Sequence, residues 1–385
     1  MGVPEPLKLA FAVSLFFEFG GMQRSMLRIL RACRDAGAEV HVYTGGWRAP
    51  REPGIHVHEL DTRAPTNHAS NALLARKLAE AVAAAGDFDA VVGFTKLPGL
   101  DVYYAGDPCF AERLSGRIRL LRWLPRYRAS LAFERAVFAA GEDTDILLIA
   151  HDQAEIFRRH YGTEPERLHL LPPGINRGRL VPPPPDEDIR AVREELGLGA
   201  DERLLLNVAA RFRTKGVDRI LRAQASLPEA LRARTHLAVI GEDKAGPYQR
   251  LAKRLGIAPR VHFLGGRSDV ARYYYAADLL VHPAYTENTG TTLIEAMVCG
   301  LPVLTTANCG FAPYVEEARA GLVCPQPFQQ ARFNALLGQA LEDTDALTRW
   351  GEQGAGYAAS RDFYSLIERA AERILARARA NRERP

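Results

Sequence analysis

Two runs of alternating strand and helix signals, parted by a proline-rich break, limit what this chain can fold into more than any other feature. In the first run, short apolar segments at Leu9–Ser14, Val40–Thr44, His56–Leu60, Ala90–Phe94, Ile146–Ala150 and Leu168–Leu171 have the length of strands. Helical spacing fills gaps between them, notably at Met22–Asp35 and Ser70–Ala85. Such alternation predicts a parallel sheet covered on both faces. Pro172-Pro173-Gly174 and then Pro182 to Pro185 interrupt the pattern, because proline suits neither a helix interior nor a central strand. The pattern then restarts, with strands expected at Leu204–Val208, His236–Ile240, Val261–Leu264, Leu279–His282, Val303–Thr306 and Leu322–Val323. Helices are expected at Val217–Ser226 and Val270–Ala277. The predicted fold class is α/β: two Rossmann-like, doubly wound domains facing a central cleft, with ligands at the C-terminal strand ends. The expected domains are 1–172 and 189–359 with a linker at 173–188, and the segment 360–385 is expected to cross back as a helix onto the first.

A chain of 385 residues is too long for one ordinary core, which agrees with two domains. No apolar run approaches the ~18 residues that span a bilayer. Leu9 to Phe17 is apolar but lacks a basic leader and a cleavage site, so it reads as the first strand. The five cysteines form no CxxC pair, which points to buried thiols in a reducing cytosol and away from zinc. A net charge of +4 is too small to argue for nucleic acid as a partner.

The chemistry concentrates in HPAYTENTGTTLIEAMVCGLPVLTT, from His282 to Thr306. Glu287 and Glu295 are separated by seven residues, with Thr289-Gly290-Thr291 between them. A strand at Leu279 to Val281, a loop, a helix at Thr292 to Val298 and a strand at Val303 to Thr306 follow from the apolar pattern, Gly300 and Pro302 ending the helix. The loop thus opens on a helix N-terminus, whose free N–H groups and dipole suit a diphosphate. Gly290 lets a phosphate approach the backbone. Glu295, one turn in, is placed to accept from ribose hydroxyls, and Glu287 to meet the sugar beyond the phosphates. A solvated loop acid and a helix-dipole partner would satisfy the same spacing. Near the N-terminus GxGxxG is absent. The pair Gly20-Gly21 opens a helix instead, which still makes a backbone anion site but weakens an NAD or FAD reading.

These parts resemble the GT-B glycosyltransferases, specifically the retaining, family-4 type with a Glu-x7-Glu motif, over nearly the whole chain. FEFGGMQRS at 17–25, VVGFTKLPGLDVYYAGD at 91–107, YGTEPERLHLLPPGI at 161–175, KGVDRIL at 215–221, HPAYTENTG at 282–290 and LPVLTTANCGFAPY at 301–314 are similar, in detail, to its lipopolysaccharide core glucosyltransferases. Ser25 replaces an aspartate usual in that group, and Asn288-Thr289 replaces small apolar residues.

The resemblance implies transfer of a hexose, glucose from UDP-glucose, to a heptose of the lipopolysaccharide inner core. It implies diphosphate contacts for Arg211 and Lys215, Arg213 being the alternative arginine, and a nucleotide-sugar site completed by Gly20, Gly21, Thr289, Gly290, Thr291 and Glu295. Glu287 and Asp101 are the catalytic candidates. Asp101 is expected to face the acceptor, as a base or only to position it, since the leaving phosphate can itself take the acceptor proton. A loop acid satisfying local N–H groups would explain Asp101 equally. No cofactor or metal is expected, and Asp143-Thr-Asp145 and Asp343-Thr-Asp345 read as helix-end acids. Tyr273 to Tyr275 read as packing residues.

From Arg113 to Arg128 the chain holds six arginines and no acid. Arg119, Arg122 and Arg126 share a helical face, Trp123 is an interfacial anchor, and Pro125 is expected to interrupt the helix. A basic helix of this kind can rest on the anionic inner face of the cytoplasmic membrane, which suits a lipid-linked acceptor. A solvated helix packing its leucines inward is the plainer account. A UDP-sugar epimerase on the same fold, or another donor or acceptor, is the alternative function. A non-catalytic sugar-nucleotide or lipid-A binding protein is a third.

Overall fold

The computed structural model describes residues 5–17, 21–115 and 124–384. The chain divides into two compact units: Met1–Pro172 with Ser365–Pro385, and Pro173–Tyr364. The boundary falls within the Pro172-Pro173 pair.

The first unit contains β1 (Lys8–Val13), β2 (Phe16–Phe17), β3 (Glu39–Thr44), β4 (Trp47–Arg48), β5 (Ile55–Glu59), β6 (Ala90–Gly93), β7 (Val102–Ala105), β8 (Asp145–Leu148) and β9 (Leu168–Leu170). Seven form one sheet in the order β5-β3-β1-β6-β7-β8-β9, with parallel pairing throughout. Strand order reverses between β1 and β6, so the loops after these two strands flank the topological switch point. β7 was not expected from the sequence, because four residues between Pro98-Gly99 and Gly106 carry too little pattern to separate them from a loop. β2 and β4 are a two-residue pair fastened by stacked Phe16 and Trp47 rings, 3.9 Å between centroids.

Helices cover both faces. Gly21–Asp35 buries Met26, Ile29, Leu30 and Cys33, at spacings that keep one stripe inward. Asn67–Ala85 begins earlier than expected because Thr66 caps it, its hydroxyl accepting from the Ala69 amide, and it ends at Gly86 with φ 69°. Pro125 starts the helix Pro125–Phe138, and the stretch before Leu124, where the expected interruption falls, lies outside the described residues. At the first helical position the proline's missing N–H costs nothing and its fixed φ is already helical. The last helix, Leu366–Arg382, belongs to this unit. Leu366, Ile367, Ala370, Ala371, Ile374, Leu375 and Ala378 are its buried stripe, in the same core as β1, β6 and the helix Gly21–Asp35.

The second unit contains β10 (Arg203–Val208), β11 (Thr235–Ile240), β12 (Val261–Phe263), β13 (Leu279–His282), β14 (Val303–Thr306) and β15 (Gly321–Cys324). Their order, β12-β11-β10-β13-β14-β15 and all parallel, is that of a Rossmann sheet. The central strands β10, β11, β13 and β14 are almost wholly buried, as expected for a sheet with helices on both faces. The switch point lies between β10 and β13.

Candidate active site

Lys215 and Glu287 are carried by the loops after β10 and β13, the two strands that flank the switch point. The Tyr285 amide donates to the Thr214 carbonyl at 2.8 Å, which sets the two loops side by side. Gly216 has φ 73°, and a Cβ there would strike the Pro283 carbonyl, so only glycine permits this approach. A third loop, after β14, joins them: Gly310 donates to Glu287 O and Phe311 to Thr289 O at 3.2 and 2.7 Å. Gly290, at φ 94°, is packed so tightly on Cys309 that a Cβ would meet its sulfur. The loop after β11 contributes Asp243, whose carboxylate accepts from the Phe212 amide at 2.7 Å.

Within this frame Lys215 Nζ is in direct contact with Glu287 Oε2. The pair is shielded, with Lys215 21% and Glu287 11% exposed. Burial pulls the Lys215 ammonium below the ordinary lysine range, Cys309 opposes and Arg211 adds to the fall. The adjacent carboxylate favours the charged form, and contact at this range decides for the ion pair. His282 Nε2 lies 3.3 Å from the same Glu287 oxygen. Burial, aided by the Lys215 charge, pushes His282 down to about 3, so the ring is neutral near pH 7. A carboxylate only accepts, so Nε2 carries the proton. Nδ1 then finds no partner among the described residues.

Gly290 caps the helix Thr291–Val298 with no side-chain hydrogen bond, and no acid stands in the first turn. The first amides of such a helix have no internal partner, and here the cap residue offers no side chain to meet them. The Thr292 hydroxyl, buried at the same place, also lacks a partner among the described residues. Glu295 follows one turn later. Its Oε2 accepts from Tyr274 OH at 2.7 Å, and Tyr274 is only 1% exposed. Tyr274 is therefore both a packing residue and the orienting partner of Glu295. Sequence reasoning missed that role because only the tertiary fold brings the helix Val270–Ala276 against Thr291–Val298.

Arg211 is exposed and holds φ 63°, uncommon for a residue with a side chain. Its carbonyl accepts from the Thr214 and Lys215 amides, so this turn positions the lysine. Arg213 is also exposed in the same loop. In the first unit Gly21 opens the helix Gly21–Asp35 after β1, beside that unit's switch point, and Gly20 lies outside the described residues. Arg119, Arg122 and Trp123 also lie outside them, whereas Arg126 is exposed in the first turn of Pro125–Phe138, over the Tyr127 ring.

The acceptor-side role expected for Asp101 is corrected by its position. Asp101 immediately precedes β7, and its carboxylate accepts from the amide of Val91, near the start of β6, at 2.7 Å. Asn381 donates to its other oxygen at 2.8 Å, and Arg377 lies 3.7 Å away. It therefore sits at the N-terminal edge of the sheet, opposite the loops after β1 and β6. The plainer reading, an acid satisfying local N–H groups, is what the fold supports. Asp143 and Asp145 are likewise tied to Arg377 and Arg373, and Asp145 begins a strand rather than ending a helix. Asp343 is a helix cap, accepting from Ala346 N at 2.8 Å.

Two parallel Rossmann-like sheets, with a cation, a carboxylate pair and an uncapped helix start gathered at one switch point, define a GT-B glycosyltransferase. Residues 19–179 match the family described as Glycosyltransferase Family 4, and residues 188–356 that described as Glycosyl transferases group 1. The chain belongs to this family of glycosyltransferases. Over 371 residues it is 42% identical to the lipopolysaccharide glucosyltransferase WaaG of Escherichia coli (strain K12), covering 95% of this chain and 98% of that one. The crystal structure of WaaG, a glycosyltransferase involved in lipopolysaccharide biosynthesis, superposes with a TM-score of 0.84 at 41% identity, covering 95% and 99% of the two chains. Anabaena HepE, in complex with UDP-glucose, shares the fold at 19% identity with a TM-score of 0.69, over 96% of this chain and 99% of that one.

Proposed function

We propose that this glycosyltransferase moves glucose from UDP-glucose onto a heptose of the lipopolysaccharide inner core, with retention at the anomeric carbon and no metal ion. The observation that carries the reading is the cluster at the second unit's switch point. Lys215 and the uncapped start of Thr291–Val298 supply positive charge and N–H donors suited to a diphosphate. Glu295, a turn later and steadied by Tyr274, supplies a carboxylate suited to ribose hydroxyls. As the glycosidic bond to phosphate breaks, charge builds on the leaving oxygen, and fixed donors stabilise that charge without reorganising. Arg211, with Arg213 as its alternate, adds a mobile cation, and Thr289, Gly290 and Thr291 line the phosphate approach. Glu287, aligned by His282 and Lys215, is the carboxylate next to the sugar.

With Asp101 tied to the far edge of the first unit's sheet, the leaving phosphate takes the acceptor proton. The first unit, with Gly20-Gly21 opening its first helix, holds the acceptor. Likeness to WaaG along nearly the full length of both chains supports the choice of donor and acceptor. The arginines at 119, 122 and 126, with Trp123, place the enzyme on the anionic inner face of the cytoplasmic membrane. None of its described helices is long and apolar enough to cross that membrane.

The test offers a panel of UDP-sugars with truncated core lipopolysaccharide and identifies the product by mass. Addition of one hexose, fastest from UDP-glucose, is expected. Conversion of UDP-glucose to an isomer without acceptor would replace this reading with an epimerase.

A further inference from the structure

We propose that the outer edge of the first unit's sheet carries a zinc-binding site formed by Glu39, His41 and His56. β3 and β5 pair in parallel with His41 opposite His56 and Tyr43 opposite His58. The two-residue period of the strands therefore puts Glu39, His41, His56 and His58 on one face. One donor atom from each of Glu39, His41 and His56 lies within 4.8 Å of the others. His41 is the fixed member: its Nε2 is 2.6 Å from Glu39 Oε1, its Nδ1 is 2.9 Å from His58 Nε2, and Phe88 stands edge-on to its ring at 5.3 Å.

Two imidazoles and a carboxylate are a donor set that zinc takes at three protein positions, leaving a fourth for water. Magnesium and calcium prefer all-oxygen shells, so imidazole selects against them. Tetrahedral zinc with bonds of about 2.0–2.1 Å needs donors roughly 3.3 Å apart, so the side chains must shift by about 1 Å. His56 is exposed and the Glu39 side chain is 41% exposed, so both can swing to meet His41. His58 supplies what a metal-bound imidazole requires at its other nitrogen: with Nδ1–H donated to His58, the His41 Nε2 lone pair faces the ion. The Lys8 charge acts on Glu39, but its ammonium is paired with Asp87 at 2.6 Å. Glu39 begins β3 and Ile55 begins β5, so the site lies at the N-terminal edge of the sheet, opposite the loops after β1 and β6. Zinc there clips the outermost strand to its neighbour and takes no part in sugar transfer.

The full-length protein, treated with EDTA and dialysed, is titrated with zinc chloride by calorimetry and melted with and without zinc. Saturable one-to-one binding and a rise in Tm are expected, with no heat from magnesium. His56→Ala, at an exposed position, should melt like the wild type without zinc and lose both effects, and His41→Ala should likewise lose zinc binding. His58→Gln should weaken binding by about ten-fold or more, and His262→Ala in β12 should leave it unchanged. Absence of saturable zinc binding in the wild type, or binding that survives His56→Ala, overturns the proposal.

Discussion

Glu134 shows how much a single buried carboxylate can organise. It is fully buried and accepts from Lys96, from the Phe110 and Ala111 amides at 2.8 and 2.9 Å, and from Tyr161 OH at 2.7 Å. Burial pushes its pKa up, but Lys96 and the converging donors outweigh that and hold it below the usual range. The stabilisation is therefore complete above the unfolded-state value near ~4.3 and is lost as pH falls through the lower native value. Glu134→Gln leaves Lys96 half-sheltered without its counter-charge and should cost about 3 kcal/mol at pH 7. Urea unfolding at pH 7 and pH 3 checks this, and the gap from wild type should shrink in acid. At the candidate site, Glu295→Ala should weaken UDP binding by more than about 1.5 kcal/mol, and Tyr274→Phe by about 1 kcal/mol, since it removes only the orienting hydroxyl. Calorimetry with UDP decides both; unchanged affinity in the first variant would remove the ribose role. Neither the Glu134 cluster nor the orienting role of Tyr274 was legible in the sequence, because a buried acid and a tyrosine's hydrogen-bond partner are recognised only by what the fold places against them.

At the scale of elements, the helix Leu366–Arg382 secures the first unit in two ways. One stripe fills the core, and the other presents Arg373, Arg377 and Asn381, four residues apart, to the N-terminal edge of the sheet. Arg373 meets Asp145, Arg377 meets Asp143, and Asn381 meets Asp101 and the Asp89 carbonyl. Arg382 adds an ion pair with Asp89. These pairs are each open to solvent on at least one side and contribute modestly, so the apolar stripe dominates. Ile374→Ala, at a site with no exposure, should lower the unfolding free energy by about 2–5 kcal/mol, read from denaturant melts. A loss under 1 kcal/mol would mean that the helix adds little to this core. A return of the last helix to the first domain was legible from its position beyond the second strand–helix run. Its use of Asp101 was not, since Asp101 and Asn381 meet across 280 residues.

For the whole molecule, sugar transfer and attachment to the membrane are tested separately. EDTA should leave transfer intact even where it strips zinc from the strand edge, and loss of turnover in EDTA would restore a metal to the reaction. Changing Arg119, Arg122 and Arg126 together to Gln should reduce sedimentation with anionic vesicles while sparing transfer to a soluble acceptor, each cation being worth about 1 kcal/mol at the surface. Equal sedimentation of the triple variant and the wild type would end the membrane proposal.

What the sequence settled by itself was whatever rests on local pattern. Apolar periodicity set two parallel sheets, the prolines at 172 and 173 set the break, and Gly290 before a helical run set a helix N-terminus. Tertiary structure decided what depends on strand order and register. It sent Asp101 to the wrong edge for catalysis, brought Tyr274 to Glu295 and Glu287 to Lys215, and set His41 beside His56. Spacing along the chain reports which face or turn a residue occupies. Which residue of a distant segment it meets is fixed by how strands align and helices pack.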